Sequence, residues 1–384
     1  MSRPPSTTIC LDIPQGWLIG IDLYYFNSPP NFKGIKLVPT QKTHILHWGK
    51  DASSVRNGVV FEAKEGEILV FKWDAQKEEM LTNQTLDMAE TLSLLGESYP
   101  YMLTYEMITE QYKEMAQLGD FGLLSDHVSG SVISAVIGAA DVIVSSTTAT
   151  DQEADVLKDA LNKSRELREA RNKDKSESEK GKSAESDDTH VTSNDPESSN
   201  TTPGFENLSS EATLHFPRLT PDQTWKPGST GRERTLDSLD SSWYIENVLL
   251  KDSSVSALLG YFQLSFLLCL VLSNYSSSIT WRDYIKIVSK GEELSSKNSA
   301  FYVQFLGTLA VQLSVAPAEY LDGLLELSAL MEPLGNLKEI VFEGQRGFNN
   351  EEVAVDPKLK RSFEKLEGVL EKMGYQVEKP EEEE

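Results

Sequence analysis

Two histidines, His44 and His47, lie three residues apart in the run Thr43-His-Ile-Leu-His-Trp48. A close histidine pair is a starting point for a metal site. The flanking residues read as a strand, and residues three apart on a strand point to opposite faces, so the pair is a poor chelate. No further Cys/His cluster supplies a third ligand. The pair therefore reads as a structural strand with one histidine near its surface. Cys10 and Cys269 carry no local signature of a reactive thiolate. Neither G-x-x-x-x-G-K-[ST] nor G-x-G-x-x-G occurs to cradle a phosphate, and there is no G-x-S-x-G elbow. Most serines fall in a low-complexity stretch where no fixed base would activate them. Carboxylates are abundant, but no spacing singles out an acid–base pair, so they read as solvated charge. We expect no catalytic residue, no cofactor and no metal ligand. The aromatic set Trp17, Tyr24, Tyr25, Phe26, Phe32 and Trp48 would suit an oligonucleotide-stacking platform. The charge balance favours a β-domain core with a few surface aromatics instead.

That balance is 36 Lys plus Arg against 60 Asp plus Glu, a formal net charge of −24 over 384 residues. It opposes polyanionic partners such as nucleic acid or acidic membrane and suits basic protein surfaces. The length predicts two folded units. One far-separated cysteine pair is no disulfide framework, which predicts a reducing compartment. Met1-Ser2-Arg3-Pro4-Pro5 has no apolar h-region, so no signal peptide is expected. Leu258 to Leu272 is densely apolar, but Gly260, Gln263 and Ser265 interrupt it and no basic cluster or aromatic belt flanks it. It predicts a buried core helix rather than a membrane span.

Short β-rich runs from residue 10 to about 100 must position the candidate side chains. Trp17 to Phe26 alternates at period two and reads as one strand. Thr43 to Trp48 is a second. Val59–Phe61 and Ile68–Phe71 look like a hairpin joined through Lys64-Glu65-Gly66. Ile108, Tyr112 and Met115 predict a helix over 104–118 with Thr104 as its N-cap. Residues 131–147 fit either helix or strand. Glu153 to Lys173 predicts a charged helix, and 174–208 a disordered linker. From Leu236 to Phe342 the pattern is helical: Ser242–Leu250, Ser254–Ser273, a helix capped by the box Thr280-Trp-Arg-Asp283, Phe301–Leu313 and Pro317–Met331. Leu359–Met373 predicts an amphipathic helix before an extended segment at 374–380. The expected fold class is α+β: an N-terminal β-rich barrel or sandwich domain with helices (1–150), a charged helix and linker (151–211), a C-terminal all-α domain with an extended lead-in (212–345) and an acidic tail (346–384).

Three stretches together resemble one family. They are Gly20-Ile-Asp22 through Phe32-Lys-Gly-Ile-Lys36 and Pro39 to Trp48; Gly260-Tyr-Phe-Gln-Leu-Ser-Phe266; and Asn274-Tyr275 through Trp281 to Ile285. The chain is similar to the AAR-two splicing-factor family, assembly factors for the U5 small nuclear ribonucleoprotein. The resemblance covers most of residues 15–120 and 212–345. It departs from the family in the Thr40-Gln41-Lys42 turn, the long linker and the acidic tail.

The resemblance implies a VHS-like helical domain and a non-enzymatic function. The implied partner is the large U5 scaffold protein, bound through its RNase-H-like and Jab/MPN-like domains, with premature binding of the spliceosomal RNA helicase blocked. It implies residence in cytoplasm and nucleus, and phosphorylation as a release signal. No sequence-specific nucleic-acid binding and no membrane contact are expected. The contact residues to examine first are Tyr375, Gln376 and Val377, as an extended segment able to join a partner's sheet edge. Ser276, Ser277 and Ser278, read as the loop before the Thr280 cap, are the candidate phosphoregulatory residues; the plain alternative is a polar inter-helix loop. Two rivals stand beside this reading: a VHS-like interaction adaptor without a spliceosomal role, and an enzyme on an unfamiliar fold. Gly260, Gln263, Phe266 and Trp281 match the family pattern and read as helix-packing residues.

Overall fold

Strand pairing begins with a hairpin that the period-two pattern hides. In the computed structural model, which describes residues 6–82, 88–112, 120–139, 141–180, 212–251, 253–343 and 356–378, Trp17–Phe26 is not one strand. After β1 (Thr7–Asp12), β2 (Leu18–Ile21) and β3 (Tyr24–Asn27) pair antiparallel across Asp22-Leu23. Asp22 takes φ +58°, the left-handed geometry that short hairpin turns demand. Alternation continues through such a tight turn, which is why periodicity missed it.

Next come β4 (Gly34–Val38), β5 (Thr43–Gly49), β6 (Asn57–Glu62), β7 (Ile68–Asp74) and β8 (Glu79–Thr82). Two very short strands complete the set, β9 (Leu103–Thr104) and β10 (Val144–Ser145). They form two five-stranded sheets, ordered β8-β7-β1-β4-β9 and β10-β6-β5-β2-β3. The sheets share one core, with Ile9, Ile35 and Phe71 from one facing Ile19, Leu46 and Phe61 from the other. The result is a sandwich rather than a closed barrel. Lys64-Glu-Gly66 is therefore no hairpin. It carries the chain from one sheet to the other, and β7 pairs parallel with β1. Gly66 does supply the expected positive φ, +70°.

Helices follow as α1 (Met88–Ser98), α2 (Tyr105–Gln111), α3 (Phe121–Leu124), α4 (Gly130–Val136) and α5 (Asp151–Lys180). Thr104 caps α2 as expected, accepting from Met107 N at 3.1 Å; residues 113–119 lie outside the described residues. The ambiguous 131–147 stretch divides into α4 and β10. α5 runs through 174–180, which the composition assigned to the linker; residues 181–211 lie outside the described residues.

The helical half comprises α6 (Gly231–Leu239), α7 (Ser242–Tyr244), which runs into a π turn, α8 (Val255–Leu272), α9 (Tyr275–Val288) and α10 (Glu292–Lys297). It continues with α11 (Ser299–Val315), α12 (Ala318–Leu321), α13 (Met331–Glu343) and α14 (Pro357–Lys372). Pro317–Met331 is not one helix. Glu326 at φ +46° and a 3-10 turn separate α12 from α13. α8 is apolar all round because it is the core helix, surrounded by the others. α14 was expected to belong to the tail, yet it buries Leu359, Phe363, Leu366 and Leu370 in the same core as α11.

That core does not stop at the helices. Leu23, Ile45 and Val60 belong to it, while their neighbours Leu46, Val59 and Phe61 face the sandwich interior. β5 and β6 are thus buried on both faces, so their sequences lack the polar alternation of a solvated sheet. Gly58 and Gly260 permit close approaches between the N-terminal half and the helices. A Cβ on Gly58 would sit 2.8 Å from Leu272 Cδ2, and one on Gly260 would sit 2.4 Å from the His127 carbonyl oxygen.

Candidate docking site

His44 and His47 are both buried in β5. His44 Nδ1 lies 2.8 Å from Asp22 Oδ2, and its Nε2 lies 2.9 Å from the Pro39 carbonyl oxygen. Both partners are acceptors, so an imidazolium donating from both nitrogens satisfies the geometry. Burial opposes that charge, but Asp22 outweighs it and the net shift of His44 is upward. Asp22 also accepts from Ile45 N at 3.0 Å and from Tyr105 Oη at 2.7 Å. This is a buried, closed ion pair with no nitrogen left for metal or substrate. His47 is buried too, and burial, then the charge of Arg56, pushes it down to about 3. Both cysteines are buried thiols, raised by burial to about 11 for Cys10 and about 12 for Cys269.

The three serines do not occupy a loop, and the Thr280–Asp283 capping box is not a helix start. α9 begins five residues before Thr280, with Asn274 as its N-cap. Asn274 Oδ1 accepts from Ser277 N at 2.8 Å, while its Nδ2 donates to the carbonyls of Ser145 and Thr148 at 2.7 and 2.9 Å. One buried side chain thus starts the helix and fastens it to the 145–148 turn. Ser276, Ser277 and Ser278 fill the first turn and are all buried. Ser278 donates to the Tyr275 carbonyl at 2.7 Å, and Ser276 donates to Glu153. Glu153 in turn closes the start of α5, where Glu153 N donates to Thr150 Oγ1 at 3.3 Å and Thr150 N donates to Glu153 Oε2 at 3.4 Å.

Ser276 and Glu153 lie in the wall of a cleft of about 540 Å³ between α5, α9 and the 212–219 segment. Its lining is mainly apolar, including Val156, Leu157, Phe216, Pro217, Leu219 and Ile279. Val156 and Leu157 are exposed along α5. Asp283 lies at the other wall with its carboxyl raised by burial, partly offset by Lys286 at 3.4 Å. The cleft suits an apolar side chain accompanied by a cation. Among the described residues it places no histidine or cysteine beside Ser276 that would make it a nucleophile.

Tyr375, Gln376 and Val377, expected as an extended segment, follow α14 without regular secondary structure and are folded back onto the chain. Gly374 at φ +88° ends α14 in a Schellman motif, with Gly374 N donating to Glu371 O and Tyr375 N to Leu370 O, each at 3.0 Å. Tyr375 Oη donates to Asp322 at 2.7 Å, and Lys338 Nζ donates to the Val377 carbonyl at 2.9 Å. Val377 is buried and Gln376 exposed. The structure does not bring the serines and the tail segment into one site.

Gln263 was read as a packing residue, and it is more than that. Fully buried, it accepts from His127 N at 2.8 Å and donates to Asp126 Oδ1 at 2.6 Å. A polar residue inside an otherwise apolar helix was the signal for this contact between the halves.

Comparison with known proteins agrees with this two-part architecture. The AAR2 N-terminal domain matches residues 4–138, and the AAR2 C-terminal repeat region matches residues 216–378. "A1 cistron-splicing factor AAR2" of Saccharomyces cerevisiae is 25% identical over 298 residues, covering 75% of this chain and 70% of that protein. "Protein AAR2 homolog" of Homo sapiens is 27% identical over 162 residues, 41% of this chain and 40% of the relative. The mouse "Protein AAR2 homolog" is 30% identical over 110 residues, 28% of each chain. The aligned part therefore spans well under half of the human and mouse proteins. With both family regions matched in order over most of its length, the chain belongs to the AAR2 family.

Proposed function

We propose that the protein is a non-enzymatic splicing factor that assembles the U5 small nuclear ribonucleoprotein. In this reading it holds the RNase-H-like and Jab/MPN-like domains of the large U5 scaffold protein, blocks premature helicase binding, and works in both cytoplasm and nucleus. The observation that carries the reading is the presence of both family regions in one chain, in order. The splicing role named for the yeast relative supports it. So does the interior: His44 is closed into an ion pair with Asp22, His47 is buried, and the α5–α9 cleft is apolar with carboxylates at its walls. A net charge of −24 suits a basic, RNA-facing surface on the scaffold.

Phosphorylation at Ser276, Ser277 or Ser278 remains part of the proposal as a release signal. Because all three are buried, a phosphate there requires the first turn of α9 to open, which would also strip Asn274 of its bonds. Likewise Tyr375–Val377 would join a partner's sheet only after Val377 leaves its own core.

The test is a pull-down with the purified RNase-H-like and Jab/MPN-like domains of the same organism, followed by helicase competition. Stable binding that the helicase displaces, and that weakens as salt rises, is the expected result. Failure of full-length protein to bind at low and moderate salt would sink the reading and favour a VHS-like adaptor.

A further inference from the structure

At one end of the sandwich is a second cavity, of about 420 Å³, remote in sequence from the helical half. Three tryptophans line it. Trp48 forms its floor, buried and packed on Phe71 with ring centroids 6.2 Å apart. Trp17 and Trp73 are half-buried walls, their rings edge-to-face with centroids 4.5 Å apart. Both wall rings keep part of their indole surface open to solvent. Here the two wall rings are fixed by each other and by their backbones. Trp17 is held through its carbonyl, which accepts from Ser28 N at 2.7 Å, and Trp73 by its place in β7 opposite Met80.

The rim gives the cavity its sign. Glu78 and Glu79 both line it, against Lys50 as the one basic residue. They sit at the β7–β8 turn, which Asp74 rigidifies by accepting from Gln76 N at 2.9 Å and Lys77 N at 3.2 Å. Glu79 is paired with Lys77 at 3.4 Å, but both side chains are more than half exposed, so that pair yields readily to a better-placed cation. Indole faces attract a cation through their quadrupole, and adjacent carboxylates add direct charge. A guanidinium fits both demands, being planar enough to stack and forked enough to bind a carboxylate through two N–H groups. A nucleic-acid base would meet the same rings, but its phosphates would meet Glu78 and Glu79.

We infer that the Trp17–Trp48–Trp73 cavity is a binding site for an arginine side chain of a basic peptide segment on a partner protein. The site lies apart from the α5–α9 cleft and its function does not depend on the U5 scaffold reading.

The experiment uses the full chain labelled with ¹⁵N-tryptophan. The sequence has six tryptophans, so six indole N–H signals report on the whole molecule. Trp17→Phe and Trp73→Phe assign the wall signals. The probe is a capped peptide of repeated Gly-Arg-Gly units, titrated to millimolar concentration, with Gly-Lys-Gly and Gly-Gln-Gly peptides as controls. The Arg peptide should shift the Trp17 and Trp73 signals saturably and leave that of buried Trp281 in place. It should bind several-fold tighter than the Lys peptide. The Glu78→Gln/Glu79→Gln double variant, altered only at two exposed positions, should weaken it about tenfold. Unmoved wall signals, equal binding of the Gln peptide, or unchanged affinity in the double variant would each overturn the inference. No arm contains the U5 scaffold, so its outcome is separate from that of the pull-down.

Discussion

His44 and His47 occupy one strand and titrate in opposite directions, and that gives a sharp test of the interior. The pair Asp22–His44 is buried and neutral overall, with every nitrogen of the imidazolium used. Removing one charge strands the other, so Asp22→Asn should cost about 3–5 kcal/mol by urea unfolding. Because His44 is raised in the folded state, its contribution is fully present below the ordinary histidine value of 6.5 and is lost as pH rises through the raised value. His47 behaves the other way. Its value falls from 6.5 to about 3, so its contribution is present above 6.5 and lost as pH falls toward 3. His47→Leu should therefore flatten the acid side of the stability profile between about pH 6 and pH 4 by up to about 1.4 kcal/mol per pH unit. An unchanged slope would show that His47 is not buried neutral. Strand alternation and the missing third ligand made the pair a poor chelate in sequence, but the expected surface histidine is absent from it: both are buried. The sequence did not reveal Asp22 or Tyr105, because their approach depends on a hairpin turn and on a helix more than eighty residues away.

At the scale of elements, capping explains what the sequence mislaid. Thr280-Trp-Arg-Asp283 has the residue types of a helix start, but α9 was already running, and Thr280 Oγ1 donates to the Ser276 carbonyl at 3.1 Å instead. The true cap is Asn274, at the start of the family stretch Asn274 to Ile285. Its side chain serves three backbone groups, whereas Ser254 at the head of α8 serves one, accepting from Ala257 N at 3.1 Å. Ser254→Ala should cost about 1 kcal/mol, the usual value of a lost cap. Asn274→Ala should cost about 3 kcal/mol, because the carbonyls of Ser145 and Thr148 lose their donor inside the protein. Equal losses in thermal or urea unfolding would show that the cross-link to 145–148 contributes nothing. Amphipathic α14 and apolar α8 were legible because periodicity and composition report burial directly. The β6–β7 crossover was not, because a Gly-containing turn looks the same whether the next strand pairs beside the last or in the other sheet.

For the whole molecule, the length and a composition break at 174–208 suggested two folded units joined by a linker. The described structure joins them through one core. Ile45 and Val60 of the sandwich pack among the helices, Gly260 lets α8 approach His127, and Gln263 and Asn274 bond across the junction. A polar stretch in sequence says nothing of whether the parts that flank it touch. Buried Gln263 and Asn274 find their partners across the junction, so separating the halves would expose apolar surface and orphan those groups together. A protease site engineered near residue 195 provides the test. After cleavage the two fragments should co-elute on size exclusion and unfold in urea as one transition, with strand and helix signals coincident. Gln263→Ala combined with Gly260→Leu should separate the cleaved fragments while leaving the uncut chain monomeric, because the link keeps the effective concentration of the second half high. Fragments of the unmutated protein that part on cleavage would show instead that the linker alone holds the halves, and that the family's two regions work as independent grips.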